Sequence, residues 1–293
     1  MAGYAIAPGA TNVATLLFTT LGTGLCIASA NTFNQWVESP YDAQMARTRT
    51  RVLVKHSISP LHAFSVGVLS GGAGVGMLLN YVNPTVAWLG LFNIILYSGI
   101  YTPMKRYHIA NTWVGSVVGA IPPLMGWAAC TGSVDMPSYL LALLMFAWQF
   151  PHFNSLAWNL RSDYAKAGYQ MMSVTNPPLN SRVSLRYSLA LIPISIAFPL
   201  CNLTSWWFAL DSNLVNLYML VYAWKFHKSN DDKSARSLFF SSLIHLPLIF
   251  ALMLIHKESS DKPITYEEFI NNCKSALNYL KGIKEEKNEN LLE

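Results

Sequence analysis

Charge is scarce in this chain. Only 12% of its 293 residues are Asp, Glu, Lys or Arg, while 52% are hydrophobic, and soluble domains usually carry about 25% charged residues. That excludes an ordinary water-soluble globule. Cysteine is sparse too: Cys26, Cys130, Cys201 and Cys273 stand far apart with no C-x-x-C spacing, which excludes a disulfide framework or thiolate metal site and leaves small buried hydrophobes. No secretory signal stands apart from the first apolar run, and no Arg-rich, Ser-rich transit peptide is readable. The one glycine-rich run, GGAGVG at 71–76, lies inside an apolar stretch with no strand before it. It is therefore no nucleotide fingerprint; Gly67 with Gly71, and Gly72 with Gly76, are spaced for close helix packing. No nucleic-acid partner is expected.

What the chain has instead is long apolar runs. A helix of about 20 residues crosses about 30 Å of hydrocarbon, and eight runs of that order are found, at 13–33, 60–79, 84–101, 111–130, 138–158, 187–204, 206–226 and 237–255. The bases test this reading, because Lys and Arg collect in loops on one side of a membrane. Arg47, Arg49, Arg51 and Lys55 follow the first run; Lys105 and Arg106 follow the third. Arg161, Lys166, Arg182 and Arg186 follow the fifth, and Lys225, Lys228, Lys233 and Arg236 close the seventh. The loops between have none, so 14 of the 20 bases share one face. The fold class is all-α, a polytopic membrane bundle with the lipid bilayer as its solvent. Residues 1–257 form the membrane domain, and 258–293, rich in both acids and lysines, form a solvated tail, partly helical or disordered.

Two polar clusters interrupt the apolar pattern. Asn34 and Glu38 are four apart and share a helix face where the first run ends. Pro40 is expected to stop that helix, and Ser39 with Asp42 resembles the capped start of a short second one. The bland reading makes Asp42 that cap. It leaves Asn34 and Glu38 unexplained, whereas three oxygen-bearing side chains at a membrane edge suit a hard cation such as Mg²⁺. The neighbouring arginines oppose a bare cation, and a diphosphate resolves the conflict by binding metal on one side and Arg or Lys on the other. In the second cluster, Gln149, His152 and Asn154 lie near the end of an apolar run, an expensive place for polar groups. Asp163 follows, the only acid in its loop, beside Arg161 and Lys166. The alternative is that Gln149 and His152 only repair backbone groups freed by Pro151 and bond to neighbouring helices. With Lys105, Arg106 and His108, these loops would form one polar entrance suited to an anionic amphipath.

The pattern N-x-x-x-E-x-x-x-D at Asn34, Glu38 and Asp42 resembles the first Asp-rich motif of the UbiA superfamily of intramembrane prenyltransferases. More narrowly, NQWVESPYDAQMARTRTR, YTPMKRYHIANTWVGSVVGAIPPLMGW and WQFPHFNSLAWNLRSDYAKAGYQMMSVT resemble the haem O synthases (protohaem IX farnesyltransferases) of the mitochondrial type, over roughly residues 5–255. The resemblance implies a nine-helix bundle, of which eight full spans are readable here and most of the first is missing before MAGYAIAPGA. It implies transfer of farnesyl from farnesyl diphosphate to haem B, with water, to give haem O for cytochrome oxidase biogenesis. A mitochondrial inner-membrane setting and a handover to a haem O oxidising enzyme go with that. Carried over, Asn34, Glu38, Asp42 and Asp163 would be the catalytic, Mg²⁺-holding residues. Arg47, Arg51, Lys105, Arg106 and Lys166 would contact diphosphate. Val52 stands where the family usually has Pro, and the second motif has fewer acids than elsewhere in the superfamily.

The chemistry fits the residues on its own terms. An allylic diphosphate ionises when fixed cations neutralise its leaving group in a site that excludes water, and aromatic faces can shelter the carbocation. For holding haem, His152 is the first candidate, with Gln149 and His108 beside it. Competing readings are an aromatic-ring prenyltransferase of quinone biosynthesis, and a transport or non-catalytic membrane protein. Against transport, no internal repeat is detectable.

Overall fold

The computed structural model describes residues 2–258 and 266–289. In chain order its helices are α1 Ala2–Ile6, α2 Val13–Asp42, α3 Pro60–Tyr81, α4 Pro84–Ile95, α5 Thr102–Met104, α6 Asn111–Thr131, α7 Met136–Asn159, α8 Arg161–Lys166, α9 Met172–Thr175, α10 Pro177–Leu200, α11 Trp206–Ser229, α12 Asp232–Ile255 and α13 Tyr266–Glu289. A π-helical turn, Leu96–Tyr101, joins α4 to α5 as one rod. No strand occurs among the described residues. The tail read from the sequence includes α13, while 259–265 and 290–293 fall outside the described residues.

Four of the long helices begin the same way. Ser59, Asn83, Asp135 and Asn176 each accept a hydrogen bond from a backbone N–H one turn on, and a Pro follows in the first helical turn. The side chain satisfies an orphan donor and the Pro occupies a place where no N–H is needed. Eight long rods result, at the eight places where apolar runs were read. Six meet both length and apolarity for crossing a membrane; α7 and α11 are as long but more polar. Large apolar side chains such as Leu69, Trp88, Leu214, Trp224 and Phe240 lie on the outside, as a lipid-facing surface requires.

Two apolar cores organise the bundle. One, around Cys26, Leu78, Ile94 and Met125, joins α2, α3, α4 and α6; the other, around Leu141, Leu191, Phe198, Phe226 and Ile249, joins α7, α10, α11 and α12. The basic connections meet at one end. Lys105 reaches Glu38, the Gln170 N–H donates to Lys105 O, and Arg161 pairs with Asp232. At the opposite end, Asn83 donates to Ala128 O, Ser205 N–H to His256 O, and Lys257 to Ala5 O. The alternation inferred from charge is thus a physical grouping of loops.

Several expectations need correction. Pro40 does not stop the first helix: α2 is continuous to Asp42, with Ala43 N–H closing on Ser39 O at 3.3 Å. Pro40 forfeits the single bond its N–H would give Trp36 O and the helix carries on past it, so no second helix starts at Ser39 and Asp42 is not its cap. Helix α10 begins at Pro177, ten residues before the apolar run, because its first turns bury Asn180, Ser181 and Ser184 rather than hydrocarbon. Of the glycines, Gly67 and Gly71 do pack, against Phe33 and Ser29 of α2, and Gly74 packs against Cys26. Gly72 and Gly76 face open space. The contact stripe is 67, 71, 74, the helical repeat of one face.

Candidate active site

Asn34, Glu38 and Asp42 lie one turn apart on α2, and their continuous helix sets them in a row facing inward. All three are buried, Asp42 at 1% exposure. Asn34 Nδ2 donates to Glu38 Oε2 at 2.8 Å; Lys105 Nζ donates to Glu38 Oε1 at 2.8 Å and to Asn34 Oδ1 at 3.2 Å. Thr102 Oγ1 donates to the same Asn34 oxygen at 2.8 Å and to Tyr97 O at 2.8 Å. Arg51 Nη1 meets Asp42 Oδ2 at 2.5 Å. The π-helical turn is what aims this group. It inserts an extra residue before Thr102, so Thr102 and Lys105 point at α2 while Tyr101 lies under the ammonium, 4.5 Å from ring centre to Nζ.

Two buried polar atoms here have no partner, Asp42 Oδ1 and the Tyr169 hydroxyl. Tyr169 comes from the loop after α8, clamped down by Gln170 N–H on Lys105 O (2.7 Å) and by Asn111 on Gln170 O. Burial, and then the Glu38 and Asp42 carboxylates, push its hydroxyl well above the usual tyrosine range; burial also raises Tyr164. No three of His, Cys, Asp and Glu converge among the described residues. A cation therefore fits only if an anion brings further ligands, and the orphaned Asp42 oxygen beside Glu38 is the donor set that such a pair would use.

Next to this row lies a cavity of about 360 Å³, lined by Arg47, Tyr97, Tyr101, Gln149, Asn154 and Tyr164 among others. A second, more apolar one of about 160 Å³ runs deeper between α2, α4 and α6 past Cys26, Ala30 and Ile94, and both share Tyr97, Val118 and Gly119. Gln149 donates to Ser116 O at 2.9 Å and Met145 O at 3.1 Å. A Cβ at Gly119 would overlap its side-chain amide.

The structure gathers some of the residues singled out in the sequence and separates others. Asn34, Glu38 and Lys105 form one hydrogen-bonded network with the Asp42–Arg51 pair one turn on; Arg47, Gln149 and Asn154 line the cavity. Arg106 instead stacks on Tyr41, 4.1 Å from the ring centre. Asp163 is 3.9 Å from Lys166, one helical turn on in α8. His108 is exposed, its Nδ1 accepting from Ala110 N–H. His152 is not among the cavity-lining residues: its ring stacks between Trp148 and Phe239 with Nδ1 2.9 Å from Ser242 Oγ. Sequence reasoning missed Tyr97, Thr102, Tyr164 and Tyr169. Only Thr102 had a usable signal, a hydroxyl three residues before Lys105.

Comparison with known proteins fits this geometry. The chain is 50% identical to mitochondrial protoheme IX farnesyltransferase of Homo sapiens over 259 residues, covering 88% of this chain and 58% of that protein. To the Yarrowia lipolytica protein of the same description it is 46% identical over 273 residues, covering 88% and 58%. The chain thus spans 58% of the length of these two curated relatives. Two solved structures share the fold: a digeranylgeranylglyceryl phosphate synthase (TM-score 0.75, 13% identity, 87% of this chain and 90% of that one) and a UbiA homologue of Archaeoglobus fulgidus bound to DMAPP and Mg²⁺ (0.62, 14%, 86% and 92%). The model of the UbiA prenyltransferase family matches residues 1–244. With an inward-facing Asn-Glu-Asp row, a basic mouth and a deep aromatic cavity in a helical membrane bundle, the chain belongs to the UbiA prenyltransferase family.

Proposed function

We propose that this chain transfers the farnesyl group of farnesyl diphosphate to a vinyl group of haem B, with addition of water, forming haem O in the mitochondrial inner membrane. The observation that carries the proposal is the half-identity to a protein described as mitochondrial protoheme IX farnesyltransferase across 88% of the chain. The site supports it independently: anion-binding groups at the mouth, an apolar track behind them, and a wider cavity alongside.

In this reading Lys105, Arg51 and Arg47 bind the diphosphate oxygens, with Glu38 and Asp42 releasing their bases to the incoming anion. Asn34, Glu38 and Asp42 would hold a Mg²⁺ arriving with the diphosphate, which would supply charge neutralisation of the leaving group; Asp163 would serve the same role from the second loop. The allylic C–O bond breaks with its electron pair leaving on diphosphate. Tyr97 and Tyr101 present ring faces to the farnesyl cation and exclude water from it. The vinyl group attacks that carbon, forming the new C–C bond; water adds to the cation left beside the porphyrin and loses a proton. Gln149 and Asn154 are the polar groups available to orient haem in the wider cavity. A haem O oxidising enzyme would receive the product.

Purified chain incubated with labelled farnesyl diphosphate and either haem B or 4-hydroxybenzoate tests the proposal. Label in haem O with release of diphosphate is expected. Label in the aromatic acceptor alone would overturn it in favour of quinone-precursor prenylation.

A further inference from the structure

We propose that the hairpin between α11 and α12 is a binding site for an anionic phospholipid, its headgroup phosphate seated among Lys225, Lys228 and Lys233. A groove of about 740 Å³ opens there, lined by these three lysines together with Tyr222, Trp224 and Ser237. It lies at the basic end of the bundle, where α11 closes with Asn230 in the left-handed conformation and α12 begins two residues later. The lysines are exposed, and among the described residues none of them takes part in an ion pair.

The local acids do not neutralise them. Asp232 is engaged by Arg161 at 2.7 Å and by Trp158 at 2.9 Å. Asp231, at the groove's edge, caps α12 by accepting from Ser234 N–H at 2.7 Å. Three ammonium groups thus face one already engaged carboxylate, and an anion is the complementary occupant. A basic pocket between membrane helices, at headgroup depth, is suited to phospholipid phosphates, and Trp224, 59% exposed, sits where an amphipathic ring marks the interface.

Two apolar tracks select a lipid over a free anion. Below the lysines, Leu214, Leu217 and Val221 lie exposed along α11, and Phe240, Ile244 and Leu248 along α12. Their spacing keeps each set on one helix face. Both tracks run away from the phosphate site, where acyl chains would follow. The site is on the opposite core from the prenyl-transfer cavity and is independent of that reading.

Native mass spectrometry of the full chain in detergent, with equal amounts of phosphatidylcholine, phosphatidylglycerol and a two-phosphate glycerophospholipid, tests this. The chain should retain the anionic lipids over phosphatidylcholine, and combined Lys225→Gln, Lys228→Gln and Lys233→Gln should lower that retention by about tenfold or more. The corresponding Lys→Arg variant should keep it. Unchanged retention in the Gln variant overturns the proposal. So does an equal loss on changing Arg49 and Lys55 to Gln, which would mean diffuse attraction to the whole basic face. Displacement of the lipid by millimolar inorganic phosphate would also overturn it, showing a simple anion site.

Discussion

At the inner end of α2 the buried polar side chains carry charge: Glu38 faces Lys105 and Asp42 faces Arg51, with Asp42 Oδ1 left over. Between α10, α11 and α12 they are neutral. Asn216 donates to Leu191 O and Ser195 Oγ, and its Oδ1 lies 2.8 Å from His245 Nε2. Because an amide oxygen only accepts, Nε2 carries the ring hydrogen. The difference separates two purposes. Neutral groups closing on one another hold helices in register, and what they leave over, such as His245 Nδ1, carries no charge. Ion pairs in a low-dielectric site are weak evidence of stability, since desolvation offsets much of their attraction, but their partners can be exchanged for a ligand's charges. On the proposed function, the charged row reopens to admit a diphosphate while the neutral one stays shut.

The largest effect should come from discharging the first region. Glu38→Gln and Asp42→Asn keep shape and remove charge. Each is expected to lower diphosphate release in single turnover, per folded molecule, by about 10²-fold or more, and to lower the unfolding midpoint as well, since Lys105 or Arg51 is left without its counter-charge. Retention of activity within threefold would break the comparison at its stronger side.

The second effect is of the opposite kind. Asn216→Leu leaves the His245 N–H buried and unpaired, at a cost of about 1–3 kcal/mol, read as a lower unfolding midpoint with unchanged turnover per folded molecule. The double change, Asn216→Leu with His245→Leu, should recover part of that loss, because it removes the unpaired His245 N–H but leaves Ser195 Oγ without its donor. If turnover fell as steeply as stability, the neutral network would be part of the site.

This contrast was partly legible in the sequence. Apolar runs and loop bases located the bundle and its basic end because membrane insertion acts on composition. The spacing of Asn34, Glu38 and Asp42 put them on one face because a helix repeats every 3.6 residues. What could not be read depended on contacts between distant elements. Rotation about a helix axis decides whether a polar residue meets a cavity or a neighbour, and so Gln149 and Asn154 line the cavity while His152, between them, turns to Ser242. Pro40 misled because a proline costs a helix one backbone bond, which the packing of the turns around it can outweigh. Tyr169 carried no local signal: its burial comes from the neighbouring Gln170 N–H, which clamps on Lys105 O, 65 residues from Gln170 in sequence.

Gly119 sharpens the border of the first region. Alanine there would press on the Gln149 amide, whose flexible end can shift only by entering the cavity or giving up its bonds to Ser116 O and Met145 O. The expected result is about a tenfold rise in KM for haem B, near 1.4 kcal/mol, with KM for farnesyl diphosphate unchanged. A rise in both would place the disturbance in the shared mouth instead.

The smallest effect tests whether Tyr169 belongs with the charged row or merely covers it. Its hydroxyl is buried beside two carboxylates, near Glu38 but outside good hydrogen-bond geometry, an arrangement that costs free energy and is improved if a diphosphate oxygen accepts from it. Tyr169→Phe removes the orphan, so the unliganded protein should be as stable or slightly more so, while affinity for diphosphate with Mg²⁺ falls about three- to tenfold, the worth of one hydrogen bond. The sign with pH is fixed by the raised pKa. Below about pH 10, where an unfolded tyrosine would begin to ionise, the hydroxyl is protonated in both states and the stability difference between wild type and Tyr169→Phe is flat. Above it the unfolded chain loses a proton that the folded one keeps, and the wild type falls behind. Calorimetric titration of diphosphate and Mg²⁺ into both proteins at pH 7.5 decides the role: equal affinities would make Tyr169 a lid on the site and not a donor to its ligand.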